Sequence, residues 1–220
     1  MNASAPGGTG LPRTPPYVRI TCVRLNRAKA RGRGLGLTLM LLCALTARAW
    51  AASIEERMAP CLACHGDRGQ STNPEVPSLG AQTSPYILIQ LFLFREKMRR
   101  LDIMNDAVKG FTDDDLRAFA DSIAKLPAPA PTGDPTDPAR MERGRALVHQ
   151  YRCNVCHNGD LAGQNNVPRI AGQREDFLLK TMREYKGSIR AGYDASMAEV
   201  LQPVPDADIV DLAYFVARQP

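Results

Sequence analysis

The pentapeptide Cys61-Leu-Ala-Cys64-His65 recurs as Cys153-Asn-Val-Cys156-His157, 92 positions further along a chain of 220 residues. No other feature constrains the fold as tightly. The spacing C-x-x-C-H is that of covalent haem attachment. Each thiol can form a thioether to a haem vinyl group, and the histidine that follows then stands under the iron as its proximal ligand. A redox dithiol or half a zinc site shares the C-x-x-C spacing. A dithiol has no use for the same His in the fifth place twice, and zinc would want a fourth ligand with its own spacing. Two of the six cysteines, Cys22 and Cys43, lie in the N-terminal segment, and the other four are all in the two motifs. No disulfide framework is left over. The motifs therefore point to two covalently bound haem c groups, one on Cys61 and Cys64 and one on Cys153 and Cys156, with His65 and His157 on the iron.

The repeat extends beyond the motifs. Pro77-Ser-Leu79-Gly-Ala-Gln82 corresponds to Pro168-Arg-Ile170-Ala-Gly-Gln173 at an offset of 91, and Tyr86 to Phe177 at the same offset. Met104 corresponds to Met197 at 93, followed at the same offset by Phe111-Thr-Asp-Asp-Asp-Leu116 and Val204-Pro-Asp-Ala-Asp-Ile209. Shifts of a residue are small loop insertions. The chain is a tandem duplication of a unit of about 80 residues, small for a domain but feasible around a large cofactor. Between the units, Leu126-Pro-Ala-Pro-Ala-Pro-Thr-Gly-Asp-Pro-Thr-Asp-Pro138 denies helix hydrogen bonds and reads as an extended connector. The expected domains are residues 52–126 and 140–220, with the Pro-rich linker at 127–139.

Residues 1–51 read as a leader. Arg27, Lys29, Arg31 and Arg33 precede an apolar run of 13 residues from Leu35 to Ala47, and small residues follow at Ala49 and Ala51. That is a secretory signal peptide with an N-terminal extension, cleaved after Ala51, or Ala49 as the second choice. The run falls short of the roughly 20 residues that span a bilayer. Export suits thioether-linked haem, so the expected location is the periplasm, with anchoring by an uncleaved signal the lesser alternative. The net charge of +5 belongs to this segment, which carries eight Lys or Arg and no Asp or Glu. The rest holds 20 basic against 23 acidic residues, so the basic pI carries no nucleic-acid inference.

Each unit reads as helical. Ser53 with Glu56 three residues on suggests a capping box ahead of the first motif, on a short helix ending near Ala59. Arg140–Tyr151 reads as the helix delivering the second motif. Gly144 weakens it, which a close approach by another helix would justify. Ser84 and Pro85 open an apolar helix to Phe94 that should be largely buried, and Glu175–Lys186 is its more amphipathic counterpart. The last helix of each unit starts in acidic residues, which suits the helix dipole. Leu116, Phe119, Ala120 and Ile123 share a helical face, as do Ile209, Leu212, Ala213 and Val216. The fold class is all-α.

A low-spin iron needs a ligand opposite its histidine. Met104 and Met197 are the repeat-matched candidates, 39 and 40 residues after His65 and His157. A methionine usually only fills core space, but the matched register argues for ligation. The chain has three histidines, too few for bis-His ligation of two irons, and His149 has no counterpart in the first unit. Pro77 and Pro168 follow their histidines by 12 and 11 positions. A carbonyl there could accept the other ring N–H, and on spacing alone a plain loop proline is an equal reading. The Arg95–Arg100 cluster reads as a solvated helix face, or else as a patch that steers an acidic partner or binds haem propionates.

Taken together these residues resemble the two-domain class I cytochromes c, the cytochrome c4 group. The resemblance covers residues 53–220 and rests on both C-x-x-C-H motifs, the P-x-[LI]-x-x-Q segments, and a Met ahead of an acidic-started helix. It implies two His/Met haems, His65 with Met104 and His157 with Met197, with the Pro77 and Pro168 carbonyls accepting from the histidines. The implied function is electron transfer between periplasmic or membrane-bound redox partners, without enzymatic bond chemistry. An electron-transfer subunit of a dehydrogenase or oxidase, and then a dihaem peroxidase, are the alternatives.

Overall fold

A computed structural model describes residues 52–131, 136–190 and 194–220; the expected leader lies outside them. Nine helices are present among these residues. In the first half they are α1 (Ile54–His65), α2 (Ser84–Arg95), α3 (Asp102–Val108) and α4 (Asp113–Ala124). In the second they are α5 (Pro138–Gln150), α6 (Cys153–Cys156), α7 (Glu175–Lys186), α8 (Ala195–Leu201) and α9 (Asp206–Ala217). The β pairing among the described residues is one isolated bridge, Gln164 to Val167.

Each half has its own apolar core. In the first, α4 lays Leu116, Phe119, Ala120 and Ile123 against Ile87, Leu91 and Phe94 of α2. In the second, α9 lays Ile209, Leu212, Ala213 and Val216 against α5 and α7. Burial of each large side chain contributes roughly 1.5–3 kcal/mol. The helix starts are chemically fixed. Ser53 and Thr112 form reciprocal capping boxes with Glu56 and Asp115, and such caps contribute about 1 kcal/mol each.

Several elements differ from expectation. Helix α1 does not end near Ala59 but runs through the first motif, with Pro60 inside it. At the matching position of the second half, Arg152 takes a left-handed φ of 58° and separates α5 from the single turn of α6. Proline cannot donate to the preceding turn, so both halves interrupt the helix ladder at this step, one by chemistry and one by conformation. Helix α2 starts at Ser84 itself, with Thr83 in the N-cap position but making no side-chain cap bond, and the Ser84 hydroxyl donates to Asp121 Oδ1 at 2.5 Å. It buries Ile87, Leu91, Leu93 and Phe94 but leaves Ile89 and Phe92 about 40% exposed. The Arg95–Arg100 cluster is no helix face, because α2 stops at Arg95 and Lys97 turns left-handed at φ 56°.

The duplication is plainer in the backbone than in the side chains. Left-handed residues recur in register: Gly66 with Asn158, Gly69 with Leu161, Ala81 with Gly172, and Lys97 with Ser188. The loop after each motif is closed by the same two bonds. The amides of Leu79 and Gly80 donate to Gly69 O (2.7 and 3.0 Å), and those of Ile170 and Ala171 donate to Leu161 O (2.9 and 3.1 Å). Linker residues Pro127–Pro129 lie over this loop. A Cβ on Gly80 would stand 2.0 Å from Pro127 O, so a side chain there would push the linker away.

Candidate haem centres

His65 ends α1 and His157 follows α6; both are buried. Their Nδ1 atoms lie 2.8 Å from Pro77 O and Pro168 O respectively. A carbonyl can only accept, so each imidazole donates from Nδ1 and keeps the lone pair of Nε2 for another partner. Burial pulls both imidazoles below their usual pKa, and the proline carbonyls oppose this; Asp194 adds a second opposing charge at His157. A neutral imidazole fixed in one tautomer is the form that binds iron.

No disulfide joins the four motif cysteines. Cys61 and Cys153 are half-buried, and burial pushes both thiols up, whereas Cys64 and Cys156 are exposed. Among the described residues no three His, Cys, Asp or Glu converge as a metal-holding group.

Met104 and Met197 each occupy the third position of a short helix, α3 or α8. The residues before those helices share an extended conformation, Leu101 at φ −157° and Asp194 at φ −156°. Met104 packs on the same core as Cys61, and Met197 on the same core as Cys153. The unmatched methionines behave as packing or surface residues: Met58 is buried, Met141 and Met182 flank the second core, and Met98 is exposed. His149 is exposed beside Asn154 and distant in role from the buried pair.

Three residues outside the sequence-predicted set join these centres. Gln82 and Gln173 are buried, and each binds the backbone of the opposite half next to its proline. Their identity at the same step of the two repeats was the signal. Arg169 is buried too and donates from Nε to Ala171 O at 3.2 Å, with the Asp160 carboxylate acting on it at longer range. Desolvation lowers its pKa, and an anionic group such as a haem propionate would balance that charge. Oriented imidazoles, cysteine pairs at thioether spacing and a buried guanidinium fit haem.

Two helical halves, each carrying a C-x-x-C-H motif whose histidine is aimed by a proline carbonyl, define a tandem dihaem cytochrome of the c type. The sequence is 32% identical over 144 residues to cytochrome c4 of Thiocapsa roseopersicina, spanning 60% of this chain and 71% of that one. The chain belongs to the cytochrome c4 family. It is a dihaem electron-transfer protein with covalently bound haem c. It is also 29% identical over 188 residues to a protein of Thiomonas intermedia named thiosulfate dehydrogenase electron acceptor, covering 78% of this chain and 83% of that one. The crystal structure of cytochrome c4 from Pseudomonas stutzeri shares the fold at a TM-score of 0.68 and 22% identity, over 76% of this chain and 97% of the other. No family model matches the sequence.

Proposed function

We propose that His65 with Met104, and His157 with Met197, are the axial pairs of the two haems, held through Cys61, Cys64, Cys153 and Cys156. The domains are residues 52–126 and 140–220 about a linker at 127–139. The observation that carries this reading is the 2.8 Å contact from Nδ1 to a proline carbonyl, made once in each half. It orients each ring and frees Nε2. The haem iron, when bound, supplies a one-electron couple, and a thioether ligand favours its reduced form. The chain's own residues hold the imidazoles neutral and oriented, and the apolar cores keep water from the cofactor.

In this reading the protein is exported, loses residues 1–51, and carries electrons between periplasmic or membrane-bound redox proteins without itself making or breaking substrate bonds. No helix among the described residues is long and apolar enough to cross a membrane. The relative named as an electron acceptor of thiosulfate dehydrogenase favours a dehydrogenase among the donors. The test is a haem stain and redox titration of the exported protein with Met104→Ala and Met197→Ala. Each substitution should abolish the Met–iron charge-transfer band of one haem and lower its potential. Unchanged spectra in both would reject the ligand assignment, and a peroxide-reactive high-spin haem in the unaltered protein would reject the carrier reading.

A further inference from the structure

The peptide bonds after Pro77 and Pro168 are each held from both ends. The carbonyl of Pro77 accepts from His65 Nδ1 (2.8 Å), and the N–H of the same peptide, on Ser78, donates to Gln173 Oε1 (2.9 Å). Gln173 Nε2 then donates to Ser78 O (2.9 Å). The other half repeats this. The carbonyl of Pro168 accepts from His157 Nδ1, the Arg169 N–H donates to Gln82 Oε1 (3.0 Å), and Gln82 Nε2 donates to Arg169 O (2.6 Å). All four residues that close the two clamps, Ser78, Gln82, Arg169 and Gln173, are buried. Each glutamine therefore reads the backbone next to the histidine of the half it does not belong to. The side-chain orientation is unambiguous, since a backbone N–H must meet the oxygen and a backbone C=O the nitrogen.

We infer that Gln82 and Gln173 are reciprocal positioning residues that set the electronic character of the opposite haem's histidine. The inference rests on the ligand reading above. An amide whose N–H is bonded has a more negative carbonyl oxygen, and chained hydrogen bonds strengthen one another by about 10–30%. Gln173 thus makes Pro77 O a better acceptor for His65, and Gln82 does the same for His157 through Pro168 O. A stronger acceptor makes the imidazole a more electron-rich ligand, which favours the oxidised iron. Neither glutamine touches the histidine it tunes, and loosening the contact between the halves would relax both clamps together.

The experiment is a redox titration, resolved for the two haems, of Gln173→Leu and Gln82→Leu. Gln173→Leu should raise the potential of the haem on His65, and Gln82→Leu that of the haem on His157. The expected change is up to roughly twofold in the reduction equilibrium constant from a 10–30% change in one neutral N–H···O=C bond, about 20 mV at 59 mV per tenfold. Haem content and the Met–iron bands are recorded on the same samples; their loss in the unaltered protein would fail the ligand reading rather than this one. Shifts confined to the haem on the substituted residue's own half, equal shifts in both haems, or none would overturn the inference. A second measurement needs no substitution. In the reduced protein a coupling across the hydrogen bond should link the Ser78 amide nitrogen to the side-chain carbonyl carbon of Gln173, and its absence would overturn the inference as well.

Discussion

Gly144 of α5 lies directly against Phe215 of α9: a Cβ on the glycine would stand 2.3 Å from the Phe215 Cβ and 2.6 Å from Asp211 O. The two helices touch at backbone distance, which is the close approach that makes a glycine acceptable in a helix interior. Arg140 and Arg143 then fasten the same pair of helices through Asp211 (3.0 and 2.8 Å).

Gly144→Ala should therefore destabilise the second half despite alanine's better helix propensity. Propensity favours alanine by about 1 kcal/mol, but forcing a methyl into a packed seam costs about 1–3 kcal/mol, and backbone and a Cβ cannot move aside cheaply. Chemical denaturation followed at the haem on His157 should show an earlier midpoint, with the haem on His65 unaffected.

Phe119 is 2% exposed and stacks on Phe111 with ring centroids 4.5 Å apart. Phe119→Ala should cost about 3–5 kcal/mol in the first half. Thermal unfolding read at the absorbance of the first half's haem is the measurement, and the second half should melt at its original temperature.

Asp115 joins α4 to α1 through Arg57 at 2.5 Å while completing the Thr112 capping box. The Thr112 amide, then Arg57 and the Thr112 hydroxyl, hold its carboxyl down at about 2, from 3.8. A depressed carboxylate stabilises the folded state above its unfolded pKa and loses that contribution as pH falls through the folded value. The unaltered protein should lose stability between pH 3.8 and about 2, and Asp115→Asn should flatten that part of the curve. Denaturant midpoints measured at steps across the window would show it.

Gly80→Val should displace the linker, because its Cβ would overlap Pro127 O. Limited proteolysis should cut the variant between residues 127 and 131 faster than the unaltered chain, with haem content retained.

Local chemistry accounts for what the sequence revealed. The haem motifs are contiguous, so covalent attachment was legible without a fold. The buried faces of α4 and α9 were legible because helical periodicity places Leu116, Phe119 and Ile123, or Ile209, Leu212 and Val216, on one side. The short helices α3 and α8 were not, since seven residues are too few to show a period. Helix α1 runs on past Ala59 and through Pro60, because burial of Met58 and His65 on the same helix outweighs one lost hydrogen bond.

The sequence by itself determined the cofactor chemistry, the duplication and the helical class, since each is written in residue types at fixed spacing along the chain. Tertiary structure alone decided that the Pro77 and Pro168 carbonyls meet the histidine Nδ1 atoms, a choice that spacing left even. It also decided that Gln82 and Gln173 reach across to the opposite proline peptide. Those contacts join residues 87 and 95 positions apart, and a hydrogen bond between distant segments exists only once both halves have folded and met.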